Sequence, residues 1–235
     1  MTQQNGIIPL RIAFSLNGEQ REITPTLIRD RHNTILVDAG FPGQEPLFIR
    51  EFERIGLDPV AVNGFIVTHQ DRDHIGGLSQ LLESAAPGSP VAAHGLERAY
   101  IQGQQQFIKN PHRDNPPPAP PFARVAVTRV LVDGEELPYA GGVVVIHTPG
   151  HTPGHICLYH RQSRTMISGD ALNVVDGELT GPNPRFTHDL PLALSSLKRL
   201  SRYDIDTVIC YHGGVFRYNV SQRIADIADG LRAGR

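Results

Sequence analysis

The sequence predicts a mixed α/β (α+β) fold in which packed β-sheets are flanked by helices. Short runs of β-type residues alternate with segments of helical periodicity along the chain, without a strict strand–helix–strand repeat. The length of 235 residues and the hydrophobic content of 40% are sufficient for a sizeable core. We therefore expect residues 1–235 to form a single domain.

Composition excludes several classes of function. The net charge of −2 leaves no basic excess to neutralise phosphates, so no nucleic-acid partner is expected. Two cysteines exclude a disulfide scaffold and suit a reducing compartment. The sequence has neither an apolar window of about 20 residues nor a basic, then apolar, leader. These features predict a cytoplasmic protein without a membrane partner.

The first part of the chain is predicted to alternate strands with helices. Residues 7–16 and 22–28 form an opening pair of strands around the turn signal Asn17-Gly18. Further strands are expected at residues 34–37, 62–68 and 90–93, and helices at residues 46–55 and 96–109.

The second part is predicted to add strands and two helices. The strands lie at residues 125–132, 143–147, 156–159, 165–168 and 207–211. Leucines spaced from 190 to 200 predict a helix with Asp189 as its N-cap, and residues 220–231 predict a closing helix. Six prolines in residues 110–121 exclude a regular helix or a central strand there, leaving a surface loop or a cover over a binding cleft.

The strongest chemical signal follows the predicted strand at residues 62–68. Four potential metal ligands, His69, Asp71, Asp73 and His74, fall within six residues. Alternate residues leaving a strand point the same way, so His69 and Asp71 can share one ion, while the turn carries Asp73 and His74 to a second point. Imidazole and carboxylate ligands suit zinc and its first-row neighbours. The alternative is a solvated acidic turn.

Three more strand ends carry similar residues. Segment 147–155 contains three histidines and two Pro-Gly turns, and one of the three, His151, is expected to be a ligand. Asp170 and His212 each follow a strand. Singly, each would be an ordinary turn residue. Together with the first cluster they provide seven ligands, enough for two metal ions.

These motifs resemble those of the metallo-β-lactamase superfamily, and particularly the probable metallo-hydrolases of this type found in bacilli. They occur in the family's order from about residue 35 to residue 214, beginning with Asp38 in Leu-Val-Asp-Ala-Gly. The resemblance implies a four-layer αββα sandwich with a metal pair at one edge. It also implies that Asp38 orients a ligand loop rather than binding metal.

The resemblance divides the ligands into two groups joined by a shared carboxylate: His69, Asp71 and His151 for one ion, Asp73, His74 and His212 for the other, and Asp170 bridging. The chain departs from the family at position 71, where the usual pattern His-x-His-x-Asp-His has a second histidine. Three carboxylates and a bridging hydroxide carry four negative charges, which cancel the charge of two divalent ions. Asp71 should therefore weaken Lewis acidity and favour Mn or Fe somewhat, although zinc remains the first choice by resemblance.

The expected reaction is attack by the bridging hydroxide on the carbonyl carbon of a small-molecule ester, thioester or lactone, with Asp73 and Asp170 as catalytic residues. The alternatives are an iron-dependent oxidoreductase of the same fold, similar to a persulfide dioxygenase, and a relative that binds a metabolite without turnover. Weak candidates for substrate contacts follow the bridging aspartate: Asn173, Arg185, Phe186 and His188. Acyl-homoserine lactonases carry a tyrosine where this chain has Asn173. The oligomeric state cannot be deduced from the sequence.

Overall fold

The structure is a computed structural model that describes residues 5–108 and 122–230. The strands are β1 (Gly6–Pro9), β2 (Ile12–Leu16), β3 (Glu19–Ile23), β4 (Thr26–Arg29), β5 (Thr34–Val37), β6 (Gly64–Val67), β7 (Val91–His94), β8 (Arg129–Leu131), β9 (Glu136–Leu137), β10 (Val143–His147), β11 (Ile156–His160), β12 (Thr165–Ile167), β13 (Asn173–Val175), β14 (Glu178–Thr180), β15 (Thr207–Cys210) and β16 (Gly214–Phe216). The α-helices are α1 (Glu45–Arg54), α2 (Arg72–Ile75), α3 (Leu78–Ser84), α4 (Arg98–Ile101), α5 (Leu190–Leu197) and α6 (Val220–Ala228).

Most of these strands belong to two six-stranded sheets. The first sheet has the order β1-β4-β5-β6-β7-β8, and strands β5 to β8 run parallel to one another, whereas β1, β4 and β5 pair antiparallel. The second has the order β16-β15-β12-β11-β10-β9, with β12 and β15 as its parallel pair. In the described residues, β2 with β3 and β13 with β14 form separate two-stranded sheets.

The alternation of side chains along the strands separates the molecule into layers. In β5, Ile35 and Val37 belong to the buried cluster between the sheets, whereas Leu36 packs towards the helices. In β10, Val145 faces the first sheet and Val144 belongs to the cluster beneath α5 and α6. Both sheets are thus covered on both faces, which suits strands that read as continuous apolar runs. The result is the expected αββα sandwich.

Helix α1 shows how the outer layer is attached. Phe48 and Phe52 lie one turn apart on the helix, are almost completely buried and join the cluster that contains Leu36 and Phe65 of the first sheet. Burial of one such aromatic side chain contributes about 1.5–3 kcal/mol. On the other side of the sandwich, Asp189 caps α5 as expected, since its carboxylate accepts the Leu192 N–H at 2.9 Å.

The opening strands are shorter than predicted. Asn17 and Gly18 adopt positive φ angles of 54° and 83° and join β2 to β3, which confirms the hairpin. Residues 7–16 are nevertheless divided at Leu10, whose N–H bonds to Pro25 O. As a result β1 pairs with β4 in the first sheet, and the predicted strand 22–28 is likewise divided between β3 and β4.

Two other predictions were wrong in extent, and one hairpin was not predicted. The helix expected at 96–109 is a 3-10 turn at Gly95–Glu97 followed by the single turn of α4, and it ends near Gly103, whose φ is 75°. The strand expected at 125–132 is limited to β8. The stretch after Asp170 contains the β13–β14 hairpin, turned by Asp176-Gly177. The proline-rich segment 110–121 and the end of the closing helix at Leu231 lie outside the described residues.

The topology brings the ends of several strands to one edge of the sandwich. Strands β5 and β6 are parallel, so the residues after both, Asp38 and Thr68, lie side by side, and Asp38 accepts the Thr68 N–H. Parallel strands β12 and β15 do the same for the second sheet. The Ile156 N–H bonds to Thr68 O at 3.1 Å and ties the two sheets together at this edge. No helix within residues 5–108 or 122–230 is long and apolar enough to cross a membrane.

Candidate metal centre

The seven side chains predicted as metal ligands lie together at this edge. Three groups have one ligand atom per residue within 4.8 Å of one another: His69, Asp71 and His151; Asp73, His74 and His212; and His69, His74 and Asp170. Asp170 lies between the first two groups, because its Oδ2 is 3.5 Å from both His151 Nε2 and His212 Nε2. This arrangement offers two neighbouring positions for cations with one shared carboxylate.

The atoms that face the centre are left without ordinary partners. His69 Nε2, His74 Nε2 and Asp170 Oδ1 are buried and make no hydrogen bond of ordinary geometry in the described part of the chain, and His74 Nε2 lies 3.2 Å from Asp170 Oδ1. Leaving a buried polar atom unpaired costs about 1–3 kcal/mol. Imidazole nitrogens and a carboxylate oxygen aimed at one space are also the donor set of a first-row divalent ion. The residues present therefore fit a metal site.

Asp38 and Thr68 orient two of the imidazoles. Asp38 accepts the Thr68 N–H at 2.8 Å and the Thr68 hydroxyl at 2.7 Å, and its Oδ2 lies 2.9 Å from His74 Nδ1. Because the Thr68 hydroxyl donates to Asp38, its oxygen can accept from His69 Nδ1, 3.0 Å away. In the neutral form that binds metal, both histidines then carry their proton on Nδ1 and direct the lone pair of Nε2 into the centre.

Thr187 does the same for His151. Its hydroxyl donates to Asn183 O at 2.8 Å, so its oxygen can accept from His151 Nδ1 at 3.3 Å. His151 Nε2 consequently faces Asp71 Oδ2 at 3.0 Å. The sequence interpretation singled out the neighbours of Thr187 and missed Thr187 itself, because its partner lies 36 positions away.

The electrostatics of the centre are those of a negative pocket. Burial lowers the pKa of His74, but the carboxylates of Asp38, Asp170 and Asp73 outweigh burial and raise it well above its ordinary value. For His212, burial is likewise outweighed, chiefly by Asp170, and its pKa rises to about 10. The carboxylates that stabilise a bound proton here also stabilise a metal cation that replaces it.

Two further side chains, Tyr211 and His155, contact the residues of the centre. Tyr211 donates its hydroxyl to Asp73 O at 2.5 Å, and its ring lies 3.9 Å from the ring of His74. Burial, and then Asp73 and Asp38, raise the pKa of Tyr211 well above its ordinary value, so it remains a donor. His155 accepts the Asp170 N–H on Nε2 at 3.1 Å, and burial lowers its pKa well below normal. His155 is thus a neutral support for Asp170 rather than a member of the ligand groups.

The predicted substrate contacts are placed less favourably. Asn173 is buried, and its Nδ2 donates to Gly181 O at 3.1 Å, so this amide nitrogen holds the following loop. Arg185, Phe186 and His188 are exposed, and the Arg185 guanidinium lies 5.6 Å from the centre of the Phe186 ring. Two residues of this stretch contact the predicted ligand His151: Thr187 through its side chain, and His188, whose backbone N–H bonds to His151 O at 3.2 Å.

The family to which the chain belongs follows from its sequence. The sequence profile of the metallo-beta-lactamase superfamily matches residues 20–212. The chain therefore belongs to the metallo-β-lactamase superfamily, as its motifs indicated.

Individual relatives agree with this assignment. The chain is 28% identical to the probable metallo-hydrolase YflN of Bacillus subtilis (strain 168), over 77% of this chain and 76% of that protein. It is also 28% identical to an N-acyl homoserine lactonase of a Bacillus species, over 74% of this chain and 73% of the lactonase. Among solved structures, a metallo-beta-lactamase family protein of Thermus thermophilus superposes with a TM-score of 0.71 at 22% identity, covering 96% of this chain and 79% of that one. This last likeness shows the fold.

Proposed function

We propose that this protein is a hydrolase that holds two divalent metal ions and cleaves an ester, thioester or lactone bond of a small molecule. The observation that carries the proposal is the convergence of seven ligand side chains in two groups around Asp170. The buried inner atoms of His69, His74 and Asp170 support it, because they make no hydrogen bond of ordinary geometry and a bound cation would satisfy all three.

The two ions would be divided between the groups. His69, Asp71 and His151 would hold one, and Asp73, His74 and His212 the other, with Asp170 shared between them. When bound, two such metal ions supply an activated water and polarise the oxygen of a scissile carbonyl. Zinc is the proposed metal, and the carboxylate at position 71 leaves Mn or Fe as the nearest competitors.

The chain's own residues would position the reactants. The side chains of His212 and Asp71 are 37% and 30% exposed, whereas those of His69 and His74 are fully buried, so the centre opens to solvent on the His212 and Asp71 side. Asp73 and Asp170 approach His212 Nε2 to 3.2 and 3.5 Å at this opening. Their carboxylates are proposed to orient the attacking water by accepting its hydrogen bonds.

The substrate class rests on chemistry and on similarity. The proposed centre suits attack of an activated water on a carbonyl carbon, and the similarity to the N-acyl homoserine lactonase supports a lactone or a related ester. The exposed stretch with Arg185, Phe186 and His188 is proposed to border the opening, since Thr187 within it contacts His151.

The test combines metal analysis with turnover. The purified protein should contain about two transition-metal ions per chain and hydrolyse at least one member of a panel of esters, thioesters and lactones. His69→Ala should lose metal and turnover. His147→Ala is the matched control, because His147 lies on the same segment as His151 but bonds to Pro153 O, away from the ligand groups. Wild-type protein that binds no transition metal and turns over no panel member contradicts the proposal.

The carboxylate of Asp71 is also compatible with a second candidate function, an iron-dependent oxidation. Oxygen-rich ligation suits iron, so the same preparations should be assayed for iron and for oxygen uptake with a persulfide. Stoichiometric iron with oxygen uptake and no hydrolysis would assign the oxidoreductase function. A metabolite that raises the melting temperature without being consumed would assign a binding role.

A further inference from the structure

The buried carboxylate of Glu97 lies outside the ligand groups. It connects the two loops that carry the group His69, Asp71 and His151. Glu97 ends the 3-10 turn Gly95–Glu97 and is completely buried. Its Oε2 accepts the backbone N–H of Gln70 at 2.8 Å and the Gln70 side-chain amide at 3.0 Å. Its Oε1 accepts the Thr152 hydroxyl at 2.8 Å and the Gly154 N–H at 2.6 Å. All four donors are neutral groups.

The positions of these donors are informative. Gln70 stands between His69 and Asp71, and Thr152 directly follows His151. One oxygen of Glu97 therefore holds the loop that carries two members of the group His69, Asp71 and His151, and the other oxygen holds the turn that carries the third.

The turn that carries His151 is held from its other side by α5. Asp189 N–H bonds to Gly150 O at 2.8 Å, and the Ser196 hydroxyl bonds to Pro149 O at 2.7 Å. The two Thr-Pro-Gly repeats thus dock differently: the first against α5 and the second against Glu97. A Cβ at Gly154 would lie 2.8 Å from Glu97 Oε1, so only glycine permits this approach without a shift.

A buried carboxylate lowers the stability of the fold unless its interactions offset the cost of burial, so its presence here calls for a structural reason. Burying a carboxylate away from cations is costly, and it is tolerated when several hydrogen bonds satisfy the charge. Charge-assisted hydrogen bonds are also shorter and stronger than neutral ones, which suits a link that must hold two loops at a fixed separation. The acceptor-only character of a carboxylate is what allows both oxygens to accept from both loops.

We infer that Glu97 is a positioning residue that sets the separation of Asp71 and His151 and thereby the metal affinity of the group His69, Asp71 and His151. The other group, Asp73, His74 and His212, has no direct hydrogen bond to Glu97 among the contacts of residues 5–108 and 122–230, so its affinity should depend less on this carboxylate. The inference rests on the proposed two-metal centre and deepens it.

The test uses Glu97→Gln, which preserves size but leaves only one accepting oxygen. One of the two loops then faces an NH₂ group with its own donors. Metal-free protein is titrated with zinc against a chromophoric chelator, and the histidine side-chain nitrogens are followed by long-range ¹H–¹⁵N spectra to show which imidazoles bind. We expect the affinity of the group containing His69 and His151 to fall about 10–100-fold, and that of the group containing His74 and His212 to change less than about threefold.

Controls separate positioning from general destabilisation. Glu51→Gln removes another buried carboxylate, one that accepts from Arg11 and Arg54 away from the loops, and it should lower the melting temperature without changing zinc affinity. Glu97→Asp keeps two accepting oxygens on a shorter stem and should recover part of the lost affinity. Thr152→Val removes a single donor to Oε1 and should weaken the same group about three- to tenfold, which keeps the inference testable if Glu97→Gln does not fold.

The outcomes distinguish this inference from the proposed function. Wild-type protein that binds no zinc overturns the metal centre itself. Wild-type protein that binds two ions, with Glu97→Gln and Thr152→Val either unchanged or weakened equally in both groups, leaves the centre intact and overturns the role of Glu97.

Discussion

Replacing Asp38 by asparagine should reverse the tautomer of a single ligand, His74. Asp38 Oδ1 accepts the Thr68 N–H, while Oδ2 accepts the Thr68 hydroxyl and faces His74 Nδ1. In Asp38→Asn the oxygen can keep the backbone N–H, which places an NH₂ group against Thr68 Oγ1 and His74 Nδ1. The hydroxyl can turn to accept, but His74 must accept on Nδ1 and therefore move its proton to Nε2. The proton then occupies the atom that would bind metal.

The size of the effect follows from the burial of the Asp38 hydrogen bonds. Asp38 is 2% exposed, so these bonds are shielded from water. Removal of such an outer partner typically reduces metal affinity 10–100-fold, which corresponds to about 1.4–2.7 kcal/mol. The backbone should tolerate the change, because Asp38 has a φ of 63° and asparagine adopts this left-handed conformation readily. The variant therefore perturbs the chemistry of one ligand rather than the fold.

The assay is a competitive zinc titration combined with ¹⁵N spectra of the histidine side chains. Asp38→Asn should weaken zinc binding by the group that contains His74 about 10–100-fold. Asp30→Asn is the matched control, since Asp30 also accepts backbone N–H groups but lies outside the ligand groups. Unchanged zinc affinity of this group would refute the reasoning.

Three other predictions concern charge and burial. Asp71→His should raise the ratio of zinc to manganese affinity by about tenfold or more, because it removes one negative charge and adds a softer ligand; an unchanged ratio in parallel titrations would contradict this. For Asp30, burial is outweighed by hydrogen bonds, first that from Ala140 N–H, and its pKa falls to about 2. A carboxyl whose pKa is lower in the folded than in the unfolded protein stabilises the fold above the unfolded-state pKa, and this stabilisation is lost on acidification. Asp30→Asn should therefore lower the free energy of unfolding in urea by about 1–2 kcal/mol at pH 7, and the difference from wild type should vanish as the pH falls from about 4 to about 2. Burial raises the pKa of Cys157 and Cys210 to about 12, so neither thiol should react with a disulfide reagent at about pH 8 until the protein is unfolded; rapid reaction of native protein would show that they are accessible.

The sequence was most informative where residues that can bind metal directly follow predicted strands. His69 to His74 directly follow an apolar strand, and Asp170 and His212 follow two parallel strands, so local pattern alone places these residues at sheet edges. The layered fold was predictable for the same reason, since continuous apolar strands need cover on both faces.

The remaining features depend on contacts between distant parts of the chain. Glu97 bonds to residues 27, 55 and 57 positions away, and nothing in its own neighbourhood marks it. The division of the first strand at Leu10 is set by pairing with Pro25, which no local periodicity reveals. The β13–β14 hairpin is a different case, because its Asp176-Gly177 turn is a local signal that could have been used.

The central claim is that this edge of the sandwich holds two metal ions. Anomalous diffraction at the zinc absorption edge, from crystals grown with zinc, tests it most directly. The account predicts two peaks about 3.5–4 Å apart, one beside His69, Asp71 and His151 and the other beside Asp73, His74 and His212, with Asp170 between them. Absence of any peak at this edge, or a single peak that leaves one group empty at saturating zinc, would contradict it.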